Sequence, residues 1–199
     1  MPHLPLYLQS PLWTAIFWAA FAAFVAHEGW VFSRDRRVVK GDRRDRGSFQ
    51  AIIVLQNLGF LGAFIIPYVT SKGDIPVRSD VLFFTAIGML WFGLLFRFWS
   101  VVTLGKFFRT TVVVQDDHRL ITTGPYRYLR NPSYTGALFI LLGVGLAQGN
   151  AFSLLSIMVG GLLAYIWRVR AEELALRERF GQIFDAYARR TWAVIPLIW

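Results

Sequence analysis

Apolar residues fall into five blocks, residues 11–32, 50–70, 81–104, 134–147 and 151–167, and the polar positions gather between and after them. A helix needs about 20 apolar residues to cross a hydrocarbon layer ~30 Å thick, and within lipid every backbone amide must find its partner inside the chain. The pattern therefore predicts an all-α polytopic membrane protein with about five transmembrane helices. Only Gln148, Gly149 and Asn150 separate the last two blocks, so helices four and five form a tight hairpin. The fourth block is short for a full crossing, and its helix either starts before Tyr134 or spans a thinned or protein-shielded region.

Beyond residue 167 the polarity rises while helical periodicity persists. Leu174, Phe180, Phe184 and Tyr187 keep an apolar stripe among charged neighbours, which predicts an amphipathic extension of the fifth helix interrupted near Gly181. Trp192, Ile195, Pro196 and Trp199 then return to the membrane interface, where tryptophan is favoured. The connector over 105–133 is too long for a passive link and holds a β-rich patch at 110–115. Connector and tail are expected to fold over each other as a cap. The chain reads as one domain, 1–199, with 1–104 giving three helices and 105–199 the connector, hairpin and tail.

Composition agrees with this reading, since 55% of the 199 residues are hydrophobic and 17% charged. Charge adds an orientation. Arg34, Arg36, Arg37, Lys40, Arg43, Arg44 and Arg46 lie between the first two blocks, and Lys106, Arg109, Arg119, Arg127 and Arg130 lie in the connector. More arginines follow from Arg168 onward, whereas the opposite side offers Lys72 and Arg78. The positive-inside rule then predicts an N-terminus outside and a cytoplasmic C-terminus. The net charge of +9 is explained by topology rather than by nucleic acid, because the cations flank membrane spans. The first ten residues lack Lys and Arg, so the first helix reads as an anchor rather than a cleaved signal. Cysteine is absent, and there is no HExxH, phosphate loop or Cys/His cluster; no metal is expected.

Chemistry concentrates at the polar mouths of helices four and five. Arg168 and Glu172 are four apart and share a helix face, where a surface ion pair competes with ligand binding as the explanation. A glutamate there can hold ribose hydroxyls or an amine, and an arginine can clamp a carboxylate or phosphate. Gly124 and Pro125 set a turn before Tyr126, and Pro132 suits the first turn of helix four. The free N–H groups of that helix start attract an anion, with Tyr126, Asn131 and Tyr134 around it. His27, Glu28 and Arg97 are ionisable residues within apolar blocks; pairing of Glu28 with Arg97 is the leading expectation for them. Gly143, Gly145, Gly160 and Gly161 read as helix-packing points.

Two blocks then carry a resemblance. Gly124, Tyr126, Arg130, Asn131, Pro132, Tyr134 and Gly136 follow the pattern G-x-Y-x-x-x-R-H-P-x-Y-x-G, and Arg168, Glu172, Glu173, Phe180, Gly181, Phe184 and Tyr187 follow its C-terminal partner. Together they resemble the isoprenylcysteine carboxyl methyltransferase family of membrane enzymes, over about the last half of the chain. The resemblance implies S-adenosyl-L-methionine as methyl donor in a cytoplasmic pocket closed by connector and tail, with a lipophilic acceptor entering between helices. It carries cofactor contacts onto Gln115, His118, Leu120, Ile121, Tyr126, Asn131, Pro132, Ser133, Tyr134 and Glu172. Arg168 matches the substrate-side arginine, and Arg168 and Glu172 are the expected catalytic pair.

Asn131 departs from the family's histidine, and asparagine can donate a hydrogen bond but does not titrate. The run from Asn131 to Gly136, with Gly143, Gly145, Glu172 and Glu173, also resembles phospholipid N-methyltransferases. The acceptor therefore stays open among carboxylate, amine and thiol. An NADPH-dependent sterol-type reductase and a non-enzymatic membrane scaffold are the alternatives. No nucleic-acid partner is expected.

Overall fold

The computed structural model describes residues 4–35, 42–43, 47–108, 113–114 and 119–198. Helices carry it: α1 (Pro11–Asp35), α2 (Ser48–Val69), α3 (Ser79–Leu104), α4 (Pro132–Ala147), α5 (Ala151–Phe180) and α6 (Gln182–Ala188). Four of these, α1, α2, α3 and α5, are long and apolar enough to cross a membrane. The predicted fourth span is α4, a shorter apolar helix of 16 residues that begins at Pro132, before the apolar block itself starts. Of the β-rich patch, the described residues form β2 (Val113–Val114), which pairs antiparallel with β1 (Asp42–Arg43).

Glycines set how closely the helices approach. On α3 and α4, a Cβ added at Gly93 would lie 2.5 Å from the Gly136 carbonyl, so the two backbones touch. Gly160 of α5 meets the Leu55 carbonyl of α2 in the same way, at 2.5 Å. Between membrane helices the hydrophobic effect offers little, and such small-residue contacts supply the packing instead. Phe83, Leu90, Ile140, Leu141, Val144, Ile157 and Val169 fill the centre thus formed.

α1 stands apart from this tight group. It packs on α3, where Trp13 stacks on Phe83 at 4.6 Å, and reaches α2 through aromatic rings, with Phe21 and Phe24 at 6.2 and 6.3 Å from Phe60. Residues 52–56 of α2 adopt a π-helical turn, which shifts the helix face after it. The aromatic bridge forms part of the wall of a cavity of about 1080 Å³ lined from α1, α2 and α4, with Arg97 from α3 and Tyr165 from α5.

The hairpin forms as the sequence predicts. Gly149 takes a left-handed conformation at φ +72°, and the Asn150 side chain accepts hydrogen bonds from the Phe152 and Ser153 amides to cap α5. At its other end α5 stops at Gly181, φ +52°, where the predicted interruption separates α6.

Candidate functional site at the mouth of helices four and five

Arg168 is the largest fully buried side chain among the described residues, with 1% of its surface exposed. A guanidinium is buried only when its donors are satisfied. Its Nε donates to Glu172 Oε1 at 2.7 Å and to the Tyr134 hydroxyl at 3.2 Å, and its Nη1 donates to Ser48 Oγ at 3.2 Å. The Tyr134 hydroxyl donates in turn to Glu172 Oε1 at 2.7 Å. One cation thereby joins the start of α2, the first turn of α4 and the exit of α5. Glu172 remains 24% exposed in its side chain, so this carboxylate keeps a face toward the space outside the core.

A second pair lies beside the first. Glu173 Oε1 accepts from Arg130 Nε and from Asn131 Nδ2, both at 2.9 Å. Arg130 Nη1 also donates to the carbonyls of Ala188, at 3.0 Å, and Thr191. The backbone completes a clasp: Arg130 N donates to Trp192 O at 2.8 Å, Asn131 N to Ala193 O at 3.0 Å, and Trp192 N to Tyr128 O at 3.1 Å. The Tyr187 hydroxyl donates to Tyr126 O at 2.7 Å, and the Thr135 hydroxyl donates to Val194 O at 2.6 Å. Connector and tail thus cover each other, the arrangement expected from their long polar sequences. Burial pushes the phenols of Tyr126 and Tyr187 well above their usual range, so both act as neutral donors.

A third pair faces the cavity. Arg97 clamps Glu28 with Nε to Oε1 at 2.7 Å and Nη2 to Oε2 at 3.0 Å, and its Nη1 donates to Ser133 Oγ at 2.7 Å and to the Ser133 carbonyl at 3.1 Å. Glu28 and Arg97 therefore pair as the sequence suggests, and Ser133 is a further partner of Arg97 that the sequence does not reveal. Glu28, Arg97, Ser133 and Tyr134 all line the cavity, whose remaining wall is mostly Phe, Ile, Leu and Val. Nδ1 of His27 lies 3.2 Å from Glu28 Oε1.

Of the residues singled out beforehand, Arg168, Glu172, Asn131, Pro132, Ser133 and Tyr134 come together in this cluster. Tyr126 is buried beside it, and its hydroxyl donates to the Ser100 carbonyl of α3 at 3.3 Å. Leu120 and Ile121 are half-buried in the connector. Gln115 and His118 lie outside the described residues. The sequence offers Glu173, like Glu172, as a group that can hold or deprotonate an amine, and Arg130 as a letter of the motif; the structure pairs Glu173 with Arg130 and Glu172 with Arg168. No grouping of three or more metal-binding side chains occurs among the described residues.

The model of a family described as phospholipid methyltransferase matches residues 81–183, from α3 to α6. A probable protein-S-isoprenylcysteine O-methyltransferase of Oryza sativa subsp. indica is 27% identical over 160 residues, covering 78% of this chain and 84% of that protein. The protein-S-isoprenylcysteine O-methyltransferase of Schizosaccharomyces pombe is 33% identical over 116 residues, covering 57% of this chain and 49% of that one. Among solved structures, that of the eukaryotic intramembrane Ras methyltransferase, isoprenylcysteine carboxyl methyltransferase, superposes with a TM-score of 0.57 at 23% identity, over 74% of this chain and 51% of that chain. The fold is therefore shared, while this chain spans about half the length of that enzyme. These matches favour methyl transfer over the reductase and scaffold alternatives.

Proposed function

The chain belongs to the phospholipid methyltransferase family of proteins, and on that premise we propose that it methylates a lipophilic acceptor within the membrane, taking the methyl group from S-adenosyl-L-methionine. The observation that carries the reading is a junction. Tyr134 contributes its hydroxyl to the Arg168–Glu172 cluster at the mouth and its ring to the wall of the apolar cavity, so a polar site and a lipid-sized space meet at one residue.

The residues present fit a sulfonium nucleoside. Part-exposed Glu172 suits ribose hydroxyls or the amine of the methionyl group, and Asn131 with the α4 start suits its carboxylate. S-adenosyl-L-methionine, when bound, supplies a methyl group already activated on positive sulfur. The protein's task is then alignment and exclusion of water. Arg168, held by Tyr134 and Glu172, orients the acceptor's polar head. The connector–tail clasp over Arg130 and Glu173 covers the site, and low dielectric strengthens each contact inside it. The cavity between α1 and α2 holds the apolar body of the acceptor, admitted sideways from the bilayer.

The acceptor head is a carboxylate of the isoprenylcysteine type, an amine of a phospholipid or a thiol. Relatives named for isoprenylcysteine place the first of these at the head of the tests. A carboxylate needs no base, whereas an amine or thiol gives up a proton, for which Glu172 or Glu173 is in reach. The site lies on the cytoplasmic face, as the arginines flanking the spans indicate. The test is transfer of labelled methyl from S-adenosyl-L-methionine into a total lipid extract and into a panel of prenylated cysteines, with products identified by mass spectrometry. Labelled lipophilic product from the wild type, absent with Glu172→Ala, supports the reading. Absence of any lipophilic product across the whole panel overturns it.

A further inference from the structure

Arg97 is used from both sides, and the two sides belong to different parts of the molecule. Its Nε and Nη2 form a fork on Glu28 of α1, while Nη1 reaches both the hydroxyl and the carbonyl of Ser133 in the first turn of α4. Ser133 sits between Asn131, which donates to Glu173, and Tyr134, which donates to Glu172. The side chain of Arg97 is 12% exposed and that of Glu28 36%, and both line the apolar cavity. Glu28 is therefore the more open member of the pair. The ring of His27, on its own helix, also stands against Glu28, with Nδ1 3.2 Å from Oε1.

A bidentate arginine–carboxylate pair in low dielectric has strict geometry, and losing either partner leaves an uncompensated charge. The contacts of α1 with α2 and α3 through Trp13, Phe21 and Phe24 are aromatic, and such contacts set distance more than register. We infer that Glu28 is a positioning residue for the methyl-donor site: through the Arg97 fork it fixes the first turn of α4, and because its carboxylate faces the cavity, filling of the cavity and order at the donor turn are coupled. This rests on the function proposed above. Coupling of this kind is reciprocal, so an occupant of the cavity must change donor affinity by the same factor as the donor changes its own.

The experiment is calorimetric titration of the purified full-length protein with S-adenosylhomocysteine, with and without N-acetyl-S-farnesylcysteine as the lipophilic probe. In the wild type the probe should shift affinity for the adenosyl compound several-fold. Glu28→Gln should weaken that affinity by about fivefold to twentyfold, within the range of typical coupling, and abolish the response to the probe. Glu28→Asp, which keeps the charge, should recover part of both, and Arg78→Ala, which breaks an exposed pair elsewhere, should change neither. Ser133→Ala supplies a second route that leaves the Glu28–Arg97 pair intact, and it should weaken binding two- to threefold. Glu28→Gln with wild-type affinity and a wild-type response to the probe overturns the inference, even if its thermal stability falls. A wild type that binds the adenosyl compound but ignores the probe overturns the coupling as well. Failure of the wild type to bind S-adenosylhomocysteine at all is a different result, and it removes the donor assignment together with this inference.

Discussion

The two ends of the helical bundle are closed by different chemistry. At the mouth of α4 and α5, three arginines each meet a glutamate: Arg168 with Glu172, Arg130 with Glu173 and Arg97 with Glu28. At the hairpin end the closure is neutral for the most part. Asn150 caps α5 and donates toward the carbonyls of Thr70 and Lys72 and toward Asp74, Ala151 N donates to Gly73 O, and Ile75 N donates to Gly149 O at 3.0 Å. Neutral hydrogen bonds suffice to hold two turns together. Burying three ion pairs costs desolvation that such a purpose does not require, which supports the proposal that the charged end handles a ligand bearing charge.

The largest effect should come from breaking the charged end at its centre. Glu172→Ala strips Arg168 and Tyr134 of their shared acceptor, and methyl transfer should fall by about a hundredfold or more, the scale for a group that stabilises reacting charge. Glu173→Ala should come next. It leaves Arg130 and Asn131 without their carboxylate, and the connector–tail clasp should loosen by roughly 2 to 3 kcal/mol, near the lower bound for a broken buried pair; faster proteolysis after residue 181 would register this. Asn150→Ala attacks the neutral end. It should lower thermal stability by about 1 kcal/mol, as for a lost helix cap, and leave affinity for S-adenosylhomocysteine unchanged. A change in that affinity would erase the distinction between the ends. Arg78→Ala should move stability by about 0.5 kcal/mol or less, because its pair with Asp80 is exposed.

The helical outline was largely legible because lipid imposes a length and a polarity that any sequence must obey. The hairpin at Gly149 and Asn150 and the break at Gly181 were local signals, and each appears where its residue predicts. α4 begins at Pro132 rather than at the first apolar residue, since proline suits a helix start and the preceding turn is held by the tail. The π turn at Ile52–Gln56 left no mark in the pattern, because an apolar run reads alike in either helix type. Arg168, Glu172, Asn131 and Tyr134 could be picked from their spacing and from a family's motif. Ser133 as the partner of Arg97 could not, because 36 residues separate them and only the close approach of α3 to α4 at Gly93 and Gly136 brings them together. The glutamate doublet likewise hid a division of labour that appears once each acid faces a different arginine.

The central claim is that the charged mouth binds the methyl donor through Glu172. Calorimetric titration of S-adenosylhomocysteine into the wild type, Glu172→Ala and Asn150→Ala, with NADPH as the competing ligand, tests it most directly. The account predicts saturable binding of the adenosyl compound to the wild type and Asn150→Ala, binding weakened by about tenfold or more in Glu172→Ala as for a lost charge-assisted contact, and none of NADPH. Equal affinity in all three proteins, or binding of NADPH alone, would contradict it.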